Sequence, residues 1–217
     1  MKYREILIER LKSLPYFKKK AIYQLSRQYA LKNTTVDTYI SRSLARRDII
    51  QLGKGLYTTA DFYKKNVGDI SYIFYLANVI RMPSYVSSWA ALQYYDLVTE
   101  SIHGITSVTE KVTRNYTTKA GNFTYHSIKN ELFSGFSLVK GTSTPENHRA
   151  AGKFDFFIAS PAKALFDLLY FKTHQFRGMK FNDILCIIEE LRIDMDDMDK
   201  KERSTFNAMI KKHLSYD

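Results

Sequence analysis

Apolar residues in the first 65 positions recur at helical spacing, which predicts three short helices. The first helix ends at Pro15, and the second runs from about residue 18 to residue 29. Thr34 or Thr35 offers an N-cap oxygen for the third helix, which continues to Arg47. The apolar positions of the three helices are, in order, Ile6, Leu7, Leu11 and Leu14; Ala21, Ile22, Leu25 and Tyr29; and Val36, Tyr39 or Ile40, Leu44 and the stem of Arg47.

Two β-prone runs, residues 49–52 and 56–59, follow the third helix and are joined by Gly53-Lys54-Gly55. Glycines on either side of a lysine permit a tight hairpin whose tip carries a positive charge. Two helices joined by a brief turn resemble a helix-turn-helix unit, and the added hairpin resembles the wing of a winged helix-turn-helix. We therefore predict a winged helix-turn-helix domain over residues 1–65.

The pattern changes after residue 60, and residues 61–68 predict a linker to a second domain over residues 69–217. Helices are expected at 69–81, after Ser87 or Ser88, at 162–171 behind an opening Ser160-Pro161, at 182–191 and at 200–213. Strands are expected at 104–109, 123–128, 136–139 and 154–158, and residues 142–152 predict a mobile loop. The predicted fold class is α+β, with a mixed domain after the winged helix and helices at its C-terminal end.

Positive charge is concentrated in the predicted N-terminal domain. The chain has a formal net charge of +11, of which the first 65 residues carry +10 and the remainder +1. A basic segment attached to a nearly neutral body indicates a module that binds a polyanion. Helical periodicity in the segment argues against the alternative of a basic tail that only aids solubility.

The predicted third helix places polar and basic side chains on the face opposite its apolar stripe. Arginine can bond to guanine edges through two hydrogen bonds, and hydroxyl groups can contact phosphates or bases. Three lysines at the start of the second helix oppose the helix dipole, which phosphates would neutralise. An ordinary solvated face is the alternative. We predict binding to the major groove of duplex DNA through Lys18, Lys19, Lys20, Thr35, Thr38, Ser41, Arg42, Arg46 and Lys54.

Cysteine content and hydropathy predict the cellular compartment in which the protein is found. Cys186 is the single cysteine, so the chain cannot form an internal disulfide, which fits a reducing cytosol. Its place in the apolar run 184–188 predicts a buried, unreactive thiol. The N-terminus lacks a signal-peptide core, and no apolar stretch approaches the roughly 20 residues of a membrane helix. We predict a soluble, cytoplasmic protein without a membrane partner.

Motifs for catalysis or metal binding are absent from the sequence, so we predict no enzyme, no cofactor and no metal. The five histidines are scattered, and there is no P-loop, GxGxxG or GxSxG motif. The acidic run at 194–199 lacks the glycine and terminal glutamate of an EF-hand and predicts a loop with Asp199 as N-cap. A metal-dependent nuclease using Asp194, Asp196, Asp197 and Asp199 remains an alternative.

Three motifs between residues 83 and 170 carry a resemblance to a known family. They are Pro83-Ser84-Tyr85-Val86-Ser87-Ser88-Trp89-Ala90-Ala91-Leu92 with Tyr95-Asp96-Leu97, then Ile105-Thr106-Ser107-Val108-Thr109, and then Ala159-Ser160-Pro161-Ala162-Lys163-Ala164-Leu165-Phe166-Asp167-Leu168-Leu169-Tyr170. Together, in this order, they resemble the AbiEi family, the antitoxins of type IV toxin–antitoxin systems that act in abortive infection. The family usually has Glu where this chain has Ala162, which puts any role of that acid in doubt here.

The resemblance implies a transcriptional repressor that binds inverted repeats in its own promoter and counteracts a nucleotidyltransferase toxin in phage defence. A stable complex with the toxin is not implied, and the two copies on DNA would be a preformed dimer or monomers that pair on binding. Lys163 and Asp167, four residues apart, are either part of an antitoxin face or a local ion pair. A ligand-sensing winged-helix transcription factor remains the main alternative, which an apolar pocket with converging polar groups would favour.

Overall fold

A computed structural model describes residues 3–98, 104–141 and 154–214 of the chain. Helices and strands are both well represented, so the predicted α+β class is confirmed. The loop predicted at 142–152 lies outside the described residues.

The chain forms two compact units. The first unit is Met1–Tyr72 together with Tyr116–Gly121, and the second unit is Ile73–Asn115 together with Asn122–Asp217. The sequence predicts a division near residues 65–69. It gives no sign that a short segment from the middle of the chain packs with the N-terminal part.

Helices and a small antiparallel sheet alternate in the first unit. The sheet has the strand order β1-β3-β2, and both of its pairings are antiparallel. A last helix, α5 (Ile70–Ile80), begins in this unit and continues into the second. The other elements are α1 (Tyr3–Leu11), β1 (Phe17–Lys18), α2 (Lys19–Arg27), α3 (Asn33–Ala45), β2 (Ile49–Gly53), β3 (Leu56–Thr59) and α4 (Ala60–Asn66).

Most of the apolar side chains predicted at helical spacing form the core of the first unit, but α1 ends at Leu11 and Leu14 is exposed. On α3, Val36 and Ile40 are buried because they lie one turn apart on the same face. Burying a side chain of this size stabilises the fold by about 1.5–3 kcal/mol. The buried members of this core are Leu7, Leu11, Phe17, Ile22, Val36, Ile40, Ile49 and Tyr57.

Three other local predictions in this unit are wrong. The helix α3 begins at Asn33, and its N-cap is Lys32, which makes no capping hydrogen bond through its side chain. Arg47 lies beyond the helix with φ 63° and is exposed, so its stem does not join the apolar face. The expected linker is the helix α4, because the Thr59 hydroxyl accepts a hydrogen bond from the Phe62 N–H at 3.2 Å and caps it.

A six-stranded mixed sheet and four helices follow α5 along the described chain. The strand order is β6-β7-β5-β4-β9-β8, with parallel pairings between β4 and β9 and between β5 and β7. The elements are β4 (Tyr85–Val86), α6 (Ser88–Tyr94), β5 (Ile105–Thr109), β6 (Arg114–Thr118), β7 (Gly121–Ser127), β8 (Phe136–Val139), β9 (Phe156–Ala159), α7 (Pro161–Lys172), α8 (Phe181–Glu190) and α9 (Lys200–Leu214). A short 3-10 helix, Asn130–Leu132, precedes β8.

The helix α7 is the centre of the second unit, and every side chain from residue 162 to 170 is buried. The run is apolar apart from Lys163 and Asp167, so the helix is surrounded by other elements on all sides. The helix begins as predicted, since the Ser160 hydroxyl accepts a hydrogen bond from the Lys163 N–H at 3.4 Å. The Glu202 carboxylate, from α9, accepts hydrogen bonds at 2.9 Å from the Ser160 hydroxyl and the Ala162 N–H. A carboxylate therefore satisfies this helix N-terminus even though residue 162 is Ala.

Two strands and the environment of the cysteine differ from expectation. Neither β4 nor β6 is among the predicted strands: β4 has two residues, too few to show alternation, and β6 is polar and largely exposed. Cys186 is exposed, and the prediction of a buried thiol is wrong. On α8 only Ile184 and Ile188 are buried, because residues four apart share the inward face while Cys186 lies on another side.

Candidate nucleic-acid interface

The helix α3 presents the predicted DNA-contacting side chains on one side. Thr38, Ser41, Arg42 and Arg46 are exposed, and Thr35 is half-buried. The Thr38 hydroxyl donates to the Thr34 carbonyl at 3.1 Å, which leaves its oxygen able to accept further hydrogen bonds. Spacing of 100° per residue separates these positions from the buried stripe, so packing of the core fixes the direction in which they point.

The hairpin β2–β3 turns at Lys54 and Gly55, and Lys54 is exposed at its tip. Gly55 has φ +71°, a conformation that residues with a side chain rarely adopt. Its carbonyl accepts a hydrogen bond at 2.8 Å from the N–H of Lys19, the first residue of α2. Lys18 pairs with Leu56 in the sheet. The start of α2 is thus held against the hairpin, which brings the segments that carry Lys18 and Lys54 next to each other.

Lys19 differs from the other predicted lysines because it has an acidic partner. Its Nζ lies 2.8 Å from Asp37 Oδ1, and the Tyr23 hydroxyl donates to the same carboxylate oxygen at 2.5 Å. The hydrogen bond to Asp37 is the main reason that the pKa of Lys19 is raised, and it lowers the pKa of Asp37. Lys19 therefore links α2 to α3 and is less available to a phosphate than the sequence predicts.

The remaining cations leave the surface positively charged. Glu9 and Asp61 both pair with Lys12, and Asp37 pairs with Lys19, so much of the unit's acidic charge is engaged elsewhere. Within the described ranges, the other basic side chains of the predicted site form no ion pair. We call the exposed set the basic face: Lys18, Lys20, Thr38, Ser41, Arg42, Arg46 and Lys54.

A second turn with a lysine at its tip belongs to the same unit and was not predicted from the sequence. Lys119 is exposed in the turn between β6 and β7, and with Lys54 it lines a groove of about 470 Å³. Gln51, Thr117 and Thr118 line the same groove. The Tyr63 hydroxyl donates to the Ala120 carbonyl at 3.2 Å and helps to hold the turn in place. Only the fold brings this distant segment to the hairpin, so sequence spacing could not identify it.

Lys163 and Asp167 form an ion pair inside the second unit, with Lys163 1% and Asp167 0% exposed. Lys163 Nζ lies 2.6 Å from Asp167 Oδ1, while Tyr85 and Ser87 donate hydrogen bonds to Oδ2 at 3.0 and 2.7 Å. Burial raises the pKa of Asp167, and Lys163 and the two hydroxyl groups oppose that rise. The pairing expected from the spacing of the two residues is present. Neither side chain is exposed, so the pair does not form an external antitoxin face.

Gly135 makes room for the Lys163 side chain. Its φ is +74°, and a Cβ at this position would lie 3.1–3.3 Å from the stem of Lys163. The Gly135 carbonyl also accepts a hydrogen bond from the Ser160 N–H at 2.9 Å, next to the start of α7. The buried pair thus depends on a residue without a side chain at a position in the left-handed region.

The acidic run before α9 is engaged in local hydrogen bonds. Asp199 accepts a hydrogen bond from the Lys201 N–H at 3.0 Å, as expected of a residue that caps the helix. Asp196 pairs with Arg203 at 2.6 Å, and Asp194 accepts from the Asp196 N–H at 2.8 Å. Among the residues that the structure describes, no group of three or more His, Cys, Asp or Glu side chains could hold a metal ion.

Two motifs that are distant in the sequence meet at the buried pair. Tyr85 and Ser87 come from the first motif of the resemblance, and Lys163 and Asp167 come from the last. The chain matches no protein-family model, and a search of curated proteins finds no similar sequence. In the described part of the chain, none of the helices has the length and apolar character needed to cross a bilayer.

Proposed function

We propose that this protein is the DNA-binding antitoxin and transcriptional autorepressor of a type IV toxin–antitoxin operon, acting in the cytoplasm. One observation carries the DNA-binding part: the basic face gathers exposed, unneutralised cations on a helix and an adjoining hairpin. The antitoxin part is supported by the resemblance of the three motifs to the AbiEi family. The proposed target of neutralisation is a nucleotidyltransferase toxin, without a stable complex between the two proteins.

The first unit would bind DNA as a winged helix-turn-helix. Its order of three helices and a hairpin is that of the class, in which the second helix of the pair enters the major groove. In this unit that helix is α3, and Arg42 and Arg46 are the side chains suited to guanine edges or phosphates. Lys18, Lys20 and Lys54 would contact the phosphate backbone on either side.

Repression through inverted repeats requires two copies of the protein on one operator. The symmetry of the repeats matches a two-fold relation between the copies, with half-sites about one helical turn or a multiple apart. A preformed dimer and two monomers that meet on DNA satisfy this geometry equally well. The proposal therefore covers both assemblies, and a sizing experiment with and without operator DNA distinguishes them.

A reporter gene under the protein's own promoter tests the repressor function. The wild-type protein should repress the reporter, and Arg42→Ala/Arg46→Ala should restore expression because two cations of the basic face are lost. The matched control, Lys200→Ala/Lys201→Ala, removes the same charge from the exposed first turn of α9 and should still repress. Equal repression by wild type and the arginine variant would reject the proposal.

Co-expression with the product of a neighbouring nucleotidyltransferase gene tests the antitoxin function. Growth arrest caused by that gene product should be relieved by this protein. Arg42→Ala/Arg46→Ala should separate the two functions, losing repression while keeping rescue. Failure of the wild-type protein to rescue growth, with both proteins shown to be expressed, would reject the antitoxin function and leave DNA binding to stand alone.

One observation favours the alternative of a ligand-sensing transcription factor. The second unit has an apolar pocket of about 580 Å³, within the size range of small-molecule sites. Polar groups at its wall, from Ser84 and Asp155, give such a pocket the means to select a ligand. A sensor would change its affinity for DNA when the pocket is filled, whereas the antitoxin proposal requires no such change.

A further inference from the structure

The pocket of the second unit combines aromatic walls with a single type of charge. Four aromatic side chains line it, from Tyr75, Phe133, Phe136 and Phe157. Asp155 lies at the same wall, and the described lining contains no Lys, Arg or His. Aromatic faces and a carboxylate are the two features by which proteins bind organic cations.

Packing between the aromatic rings holds the walls in place. The Phe136 ring lies 5.1 Å from Phe133 and 5.9 Å from Phe157 between centroids, with an angle of 90° to the latter. Behind it, the buried Tyr85 ring stacks on Phe136 at 4.4 Å. A pocket whose walls are already ordered loses little side-chain entropy when a ligand enters.

The polar groups at the pocket wall differ in how far their hydrogen-bonding capacity is already used within the protein. The Asn78 amide is committed to the fold, since its Oδ1 accepts from the Phe157 N–H at 2.6 Å and its Nδ2 donates to the Ser84 and Phe157 carbonyls. Asp155 accepts from the Gly141 N–H at 3.2 Å and forms no ion pair with a described residue. The Ser84 hydroxyl is buried and has no hydrogen-bond partner among the residues that the structure describes.

We propose that this pocket binds a small organic cation, an apolar or aromatic body that carries a protonated amine. The body would fill the space between the aromatic rings, and the ammonium group would donate a charge-assisted hydrogen bond to Asp155. A neutral ligand would leave the carboxylate partly desolvated without a cationic partner, and an anion would be repelled by it. The proposed ligand site depends neither on DNA binding nor on the antitoxin function, so it can be tested whichever proposed function is correct.

Three naphthalene compounds that differ in charge test the proposal by isothermal titration calorimetry. The probes are 1-naphthylmethylammonium, the neutral 1-naphthalenemethanol and the anionic 1-naphthoate. The ammonium compound should bind the full-length protein at least about tenfold more tightly than the alcohol. The anion should bind more weakly than either. Equal affinity for the cation and the alcohol, or no saturable binding of the cation, would overturn the proposal.

Two variants assign the binding to this pocket. Asp155→Asn keeps an oxygen for the Gly141 N–H and should lower affinity for the ammonium compound about tenfold, to that of the alcohol. Phe157 is 41% exposed, so the Phe157→Leu variant should fold. Because it lacks one aromatic face, its affinity for the ammonium compound should fall more than its affinity for the alcohol. The matched control Asp197→Asn, at an exposed site before α9, should bind like wild type. Unchanged cation binding by folded Asp155→Asn would place the cation elsewhere and overturn the assignment.

Discussion

The buried Lys163–Asp167 pair shows how far the spacing of two residues predicts their role. A separation of four residues on a helix predicts contact, and the 2.6 Å distance agrees. Spacing alone does not show that both side chains are buried, because burial depends on packing around all sides of α7. An exposed pair of this kind contributes about 0.2–0.5 kcal/mol, whereas breaking a buried pair is far more costly.

Loss of the lysine should therefore destabilise the protein strongly. We expect Lys163→Met to lower the free energy of unfolding by about 3–5 kcal/mol, because the Asp167 carboxylate is left buried without a cation. Urea denaturation measures the change. The double variant Lys163→Met/Asp167→Asn should show a smaller fall in the free energy of unfolding than the single variant, since no uncompensated charge remains. A single-variant loss below about 1 kcal/mol would contradict the account, since that is the range of exposed ion pairs.

His126 should make stability depend on pH. Burial lowers its pKa below 6.5, and its ring stacks on Phe171 at 4.7 Å. As pH falls below 6.5, the unfolded chain gains a proton that folded His126 does not yet bind, so the free energy of unfolding falls. Chemical denaturation at about pH 7.5 and about pH 5.5 should show a smaller fall for His126→Gln than for wild type. An equal fall in the two proteins would exclude this contribution.

Cys186 should react in the folded protein because its thiol is on the exposed side of α8. A thiol reagent that absorbs on reaction should label one cysteine per chain without denaturant. The Cys186→Ser variant is the control and should give no signal. Labelling that begins only after denaturation would show that the thiol is buried, as its apolar sequence suggests.

Among the elements, α3 combines a core stripe with the basic face, and its orientation depends on contacts with α2. The bridge of Lys19, Asp37 and Tyr23 links these two helices. It joins residues from separate helices, so helical periodicity predicts the exposed positions but not the pairing. The same limit applies to Lys119, which the fold brings to the groove beside Lys54.

Replacing Asp37, the acidic residue that pairs with Lys19, should strengthen DNA binding. In Asp37→Asn the Lys19 ammonium loses its ionic partner and becomes available to a phosphate. We expect tighter binding to duplex DNA, with the slope of log K against log salt steeper by about 0.9. Asp197→Asn, which makes the same change at an exposed site before α9, is the control. Weaker binding by a folded Asp37→Asn protein would indicate that Asp37 orients α3, and that Lys19 is not released.

For the molecule as a whole, the sequence predicts the α+β class and most helices to within a few residues, because their apolar periodicity extends over several turns. The strands β1 and β4 escape prediction because two residues show no period, and β6 escapes because its side chains are polar. For the candidate site, charge and periodicity identify exposed cations on α3 and at the hairpin tip. They do not identify the partner of Lys19, the second lysine turn or the aromatic pocket, which depend on tertiary contacts.

The concentration of charge in the first unit has a quantitative consequence for DNA binding. Each phosphate that the protein neutralises contributes about −0.9 to the slope of log K against log salt. The slope therefore counts phosphate contacts, whatever operator sequence is used. It also separates the loss of a phosphate contact from the loss of a base contact, which lowers affinity without changing the slope.

The measurement that tests the central claim most directly is this slope, determined by fluorescence anisotropy with duplex DNA between about 50 and about 200 mM salt. The basic face predicts a steep negative slope for wild type. For Lys18→Ala/Lys54→Ala, two phosphate-contacting lysines are lost, so the slope should be less negative by about 1.8. Lys200→Ala/Lys201→Ala should keep the wild-type slope. If the Lys18/Lys54 variant and wild type have the same slope, the basic face is not where this protein binds DNA.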